Sequence, residues 1–331
     1  MIAAAAALAL ALGCGAGGSD GGGGSGLFKP CALDERAGGF IVQLNEEALG
    51  NAAHTAVSGA VLSGVRPANV WLPEGAAAGG CRLMVGAGYT CAPACTSPQV
   101  CGPGGACIDN PVATSVGDVT ITGVGPAPMV LSPLSANAPI YSSALEQPFP
   151  PFTPGAEIAL SAAGGALSAF SLEGAGFEPL VFPGTGIMAV GGQPLSFTWT
   201  APAQPGSARI FAVMEIGHHG GVAARVECDL PDTGSGQIPA SIVSTLIAKG
   251  VHGFPTLSLS RETVDSTTLA AGCVDFTVAA FIEHGITVCP TAGACVVSCS
   301  CGGDLSPCTG TDAAEIPCPN GMTCQADYTC K

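Results

Sequence analysis

Leu195, Phe197 and Trp199 alternate with Ser196, Thr198 and Thr200, a period of two that gives a strand one apolar and one polar face. Val222, Ala224, Val226 and Cys228 alternate in the same way with Ala223, Arg225 and Glu227, and Val274, Phe276 and Val278 alternate with Asp275 and Thr277. Shorter strand candidates lie at 118–122, 156–161, 209–216 and 256–260. Glycine and proline punctuate nearly every gap, as at 148–151 and 183–186, and such turn signals between short strands predict a sandwich rather than an α/β fold. One segment carries the helical period: Ile238, Ile242 and Leu246 recur at every fourth position, with Pro239 near the start, Lys249 in the last turn and Gly250 beyond it. The expected class is all-β. One β-sandwich spans 113–288 with Trp199 as a core aromatic, and a smaller β-domain at 27–90 draws on 40–44 and 56–65.

The amino terminus reads differently. Residues 2–13 are an unbroken run of small apolar residues ending at Cys14. Such a run is too short to cross a bilayer as a helix but suits the apolar region of a signal peptide. Ala11-Leu12-Gly13-Cys14 resembles a bacterial lipobox. The resemblance implies a signal peptide over 1–13, cleavage before Cys14, and lipid on the sulfur and new amino group of Cys14. An ordinary signal peptide cut elsewhere, or a buried helix, remains the alternative. No Lys or Arg precedes the apolar run, which places the expected translation start upstream of Met1. Residues 14–26 continue as a glycine-rich tether with an average reach of roughly 20 Å, enough to hold a folded body clear of headgroups. Gly15, not an acidic residue, follows the cysteine, which by the same resemblance points to the outer membrane.

Seventeen cysteines change the picture further. Apart from Cys14 they fall into even groups: Cys31, Cys81, Cys91, Cys95, Cys101 and Cys107; then Cys228 and Cys273; then Cys289, Cys295, Cys299, Cys301, Cys308, Cys318, Cys324 and Cys330. Even groups are expected if each closes its own disulfides, and a secreted chain meets the oxidising conditions that keep them closed. Zinc is the rival, but no Cys-x2-Cys knuckle or ligand-spaced Cys/His pair occurs. Within 113–288 the one available pairing is Cys228 with Cys273. Against it, Cys228 shares its strand's apolar face whereas Cys273 shares the parity of polar Asp275. Cys95-x5-Cys101-x5-Cys107 and Cys318-x5-Cys324-x5-Cys330 read as two copies of one disulfide knuckle. A knuckle at 91–110 and a separate cysteine-rich module at 289–331 are therefore expected, both held by bridges rather than by buried area.

Residues 116–123, the Phe197-Thr198-Trp199 strand and Glu227-Cys228-Asp229 followed by Ile238-Pro239 together resemble the cysteine-rich, Ig-like surface lipoproteins that occur in many copies in large-genome gliding soil bacteria. The resemblance implies an Ig-like sandwich on a lipid anchor at the cell surface; that family mostly has no assigned function.

Charge and candidate chemistry narrow the function classes. The net charge is −15 with nine scattered Lys and Arg, so there is no basic patch for nucleic acid. Asp232-Thr233-Gly234-Ser235 matches the core of an aspartic-peptidase signature, chemistry that needs two carboxylates sharing a proton. A second such triplet is absent, and the favoured reading is a replaceable turn. Glu215, His218 and His219 could hold zinc or copper, though the surrounding glycines read as a hairpin loop. Calcium on Asp229 and Asp232 lacks a recognisable ligand spacing. No phosphate loop or nucleophile elbow is present. The expectation is a lipid-anchored envelope protein with a non-catalytic binding or structural role, no cofactor, and an unidentified protein or glycan ligand. The rivals are a hydrolase built on Asp232 and a metal-capture protein built on His218 and His219.

Overall fold

The computed structural model describes residues 27–45, 52–143, 147–184, 186–203, 206–216, 223–251, 255–292, 294–296, 300–301 and 314–316. It is an all-β protein built on one large mixed sheet. Its nine strands, in chain order, are β1 (Arg36–Asn45), β2 (His54–Val61), β3 (Trp71–Ala78), β4 (Cys81–Gly86), β5 (Ile140–Ser142), β6 (Arg209–Glu215), β7 (Ala224–Pro231), β8 (Thr256–Leu269) and β9 (Gly272–Gly285). They lie in the order β3-β4-β7-β6-β8-β9-β1-β2-β5. Every neighbouring pair is antiparallel except β1 and β9, which run parallel with Phe40 beside Phe276 and Val42 beside Val278.

Period-two patterning fixes which face turns inward. Phe40, Val42 and Leu44 on β1, Leu257 and Leu259 on β8, Val274, Phe276 and Val278 on β9, and Ile210, Ala212 and Met214 on β6 are all buried. Through β8, β9 and Phe40 of β1 this face packs against a second, four-stranded sheet formed by Phe170–Ala175, Glu157–Ala162, Val119–Thr122 and Met129–Leu131 in that order. The two layers interlock: the Thr263 hydroxyl accepts from the Ala175 N–H at 3.2 Å and sits 3.3 Å from its carbonyl, while Phe40 meets the Phe170 ring at 6.5 Å. A Cβ on Gly59, in β2, would fall 2.2 Å from the Phe40 ring. The absence of a side chain there is what lets the Phe40 ring cover Gly59 and meet Tyr141 edge-on, with ring centroids 5.4 Å apart. Helix α1 (Ala240–Ala248) covers the β4/β7 end of the core through Ile242, Val243 and Leu246.

Four expectations are corrected. The boundary between a 27–90 domain and a 113–288 sandwich does not exist, because β1 to β4 are strands of the same sheet as β6 to β9. Alternation marks a strand but carries nothing about its partner, and here β1 pairs with β9, more than 200 residues further along the chain. The bridge between Cys228 and Cys273 is also replaced. Cys81 bonds Cys228 and Cys31 bonds Cys273, so the first two cysteine groups are not closed on themselves. Cys228 faces the core and Cys273 follows the outward parity of Asp275, so the two could not meet. Nor does 289 open a separate module. Cys289 is fully buried within Thr287–Thr291, a strand that pairs in parallel with Met188–Val190 and is bridged to Cys295. Finally, β8 runs to Leu269, well past the expected end at 260.

Residues 91–110 hold a small disulfide-tied hairpin. Gln99–Cys101 and Cys107–Asp109 form a hairpin around a 3-10 turn at Pro103–Gly105. Two bridges, Cys91–Cys101 and Cys95–Cys107, tie it down. The second copy, with Cys318, Cys324 and Cys330, lies outside the described residues, as do Cys14, Cys299 and Cys308.

Candidate functional site

The peptidase-like Asp232 sits in the turn after β7, and its carboxylate is fully committed. Arg261, a core-facing residue of β8 that is 1% exposed, donates Nε to Oδ2 at 2.7 Å and Nη2 to Oδ1 at 3.1 Å. Trp199 Nε1 donates to the same Oδ1 at 2.7 Å. The remaining guanidinium donors reach the carbonyls of Thr200 at 2.7 Å and of Glu178 and Pro179 at 2.9 Å. A buried guanidinium is tolerated only when its charge and N–H groups are all met. Here one arginine pins three loop segments to the central strand. This corrects the expected turn and weighs against the rival peptidase reading. Asp232 is not a replaceable turn residue, and among the described residues its partners are Arg261 and Trp199 rather than the second carboxylate that a peptidase dyad would require. Asp229 pairs instead with Arg209, so the two aspartates considered as calcium ligands are turned to different partners and are not brought together.

His218 and His219 lie outside the described residues. Glu215 ends β6, 3.9 Å from Arg225. Cys31, Cys81, Cys91, Cys95, Cys101, Cys107, Cys228, Cys273, Cys289 and Cys295 are all bridged. The sulfur clusters formed by Cys91, Cys95 and Cys101 and by Cys31 and Cys273 with Asp275 therefore belong to disulfides rather than to metal-binding thiolates. The five disulfides among the described residues place the protein in an extracytoplasmic, oxidising location. Among the described residues no helix is long and apolar enough to cross a membrane.

The outward face of the large sheet carries chemistry that the sequence patterns did not single out. Glu227, 1% exposed on its side chain, bridges Arg82 at 3.3 Å and Arg225 at 2.6 Å, and Arg225 stacks over the Trp71 ring at 4.1 Å. Asp275 bridges Arg36 at 2.5 Å and accepts the Cys31 N–H at 2.7 Å. Burial raises the Asp275 carboxyl above its ordinary range even against those two lowering influences. Between these pairs lies Glu262, whose recorded partner is the Ser260 hydroxyl at 2.9 Å. Arg209 is directly opposite in register but is turned to Asp229 and stacked on Phe28. Glu262 is half-buried on the floor of a groove of about 290 Å³ walled by Ile41, Phe211, Val213 and Phe281. Burial pushes its carboxyl up to about 7.

A second concavity, of about 540 Å³, opens where the disulfide knuckle meets the body, between Arg66, Pro67, Tyr89, Val100, Cys101 and Asn110. Four separate stretches build it, so no local spacing could have announced it. Arg261 was more legible: it occupies a core-parity position after Leu257 and Leu259, where an arginine demands a buried acid. No protein-family model matches the chain, and no curated protein matches it either.

Proposed function

We propose that this chain is a lipid-anchored protein of the outer cell envelope, held through Cys14 and acting by binding, with no catalytic step. The observation that supports this reading most is the bridge framework. Cys31–Cys273 and Cys81–Cys228 span 242 and 147 residues and tie segments far apart in the chain to one sheet. Bridges closing such long loops favour a body that must persist outside the cell, because they restrict the unfolded chain most. The acids nominated for chemistry support the non-catalytic part. Asp229 and Asp232, with Glu227 and Asp275, each hold a guanidinium, a counter-ion's task. The glycine tether of residues 15–26 would give the body freedom to engage a protein or glycan at the surface.

The anchor is tested by palmitate labelling of wild type and Cys14→Ser. Label in the wild type alone, with the variant moving from the membrane fraction to the soluble fraction, supports the proposal. Equal labelling, or equal partition of the two proteins, refutes it.

A further inference from the structure

Arg66 differs from every other described basic residue. Lys29, Arg36, Arg82, Arg209, Arg225, Lys249 and Arg261 each lie within 4.0 Å of a carboxylate. In a chain of net charge −15 acids are plentiful, yet among the described residues Arg66 has no carboxylate partner. Its one recorded hydrogen bond runs from Nη2 to the Pro111 carbonyl at 3.1 Å, and its Nε is buried with no partner. A half-buried guanidinium held this way keeps a charge that the protein does not compensate. The side chain lines the cavity of about 540 Å³, a volume in the ordinary range for small-ligand sites.

The rest of the lining defines what would fit. Tyr89 and Asn110 offer groups that both donate and accept hydrogen bonds, the capability that recognises hydroxyls. Pro67, Val100 and the Tyr89 ring offer apolar surface. The far wall belongs to the knuckle, where Cys101 is bridged to Cys91, so that wall loses little conformational freedom when a ligand enters. We propose that this cavity binds a carboxylated sugar of the uronic-acid class, its carboxylate taken end-on by the Arg66 guanidinium and its hydroxyls by Tyr89 and Asn110. Arginine's planar fork suits a carboxylate, and binding there supplies the counter-ion that the fold withholds. This site deepens the binding role proposed above and rests on it, but its test is independent of the lipid: failure of palmitate labelling sinks the anchor, and failure of the titration sinks the ligand.

The test is calorimetric titration of the full-length protein in detergent micelles with glucuronate, glucose and inorganic phosphate. Glucuronate is expected to bind at least about tenfold more tightly than glucose or phosphate, the scale of one charge-assisted fork. Arg66→Gln should reduce glucuronate to the level of glucose, and Arg66→Lys should recover only part of the loss. Asn110→Ala, at an exposed position, should weaken glucuronate without altering the thermal melt, and it decides the matter if Arg66→Gln fails to fold. Equal binding of glucuronate and glucose overturns the proposal, as does unchanged binding by Arg66→Gln, or by Asn110→Ala where that variant decides. Phosphate binding as tightly as glucuronate overturns the sugar-acid assignment.

Discussion

Replacing Asp232 by alanine removes the carboxylate that faces Arg261, Trp199 Nε1 and, through Arg261, the 178–179 and 199–200 segments. Arg261 is 1% exposed and the Asp232 side chain 7% exposed, so water cannot take the carboxylate's place without local opening. Stranding one partner of such a pair costs about 3–5 kcal/mol. The unpaired indole N–H adds about 1 kcal/mol if it finds no water. The expected loss in Asp232→Ala is therefore about 3–6 kcal/mol in urea unfolding under non-reducing conditions, and a fall in melting temperature of order 10 °C. The charge, rather than the volume, should carry the loss. Asp232→Asn, which keeps the shape but not the charge, should recover only part of it. The double variant Asp232→Leu/Arg261→Met should be more stable than Asp232→Ala, because no charge is left buried alone. A loss below about 1 kcal/mol in Asp232→Ala, or a double variant less stable than the sum of its single variants, would refute the reasoning.

Two further outcomes follow from the sheet. Glu262 is protonated more readily in the folded protein, with a carboxyl at about 7 against 4.5 in the free side chain. Between those values the folded state holds more protons than the unfolded one, so stability falls as pH rises and the full cost is present above pH 7. Glu262→Gln should be more stable than wild type at pH 8 by about 1–3 kcal/mol, with water access to the half-buried residue lowering the figure; the gain should vanish by pH 4, and a pH-independent difference in urea midpoint would contradict it. Gly59→Val would place a Cβ 2.2 Å from the buried Phe40 ring and should cost about 1–3 kcal/mol or more from overpacking, while Phe40→Leu in the same background should restore part of it on a thermal melt.

The strands were legible where apolar and polar residues alternate strictly, as in 195–198, β7 and the first half of β9. β8 was legible only as far as Ser260, because Arg261 and Thr263 hold core positions that the pattern reads as polar. β4 escaped because Leu83 and Met84, on opposite faces, are both buried and break the alternation. Pairing was beyond local reading: nothing in 36–45 says that it lies beside 272–285. The cysteine parities did carry information, since Cys228 and Cys273 belong to opposite faces of the sheet and each finds its partner among the first six. Asp232 could be picked out from its motif, but its role depends on an arginine 29 residues away. The Arg66 cavity depends on four stretches that meet only in the fold.

The most direct test of a single sheet tied together from segments far apart in the chain is peptide mapping of the intact protein after digestion without reduction and with free thiols blocked. The account predicts linked peptides containing Cys31 with Cys273 and Cys81 with Cys228, each separated by reduction. A peptide joining Cys228 directly to Cys273, or alkylated free thiol at any of the four, would contradict it.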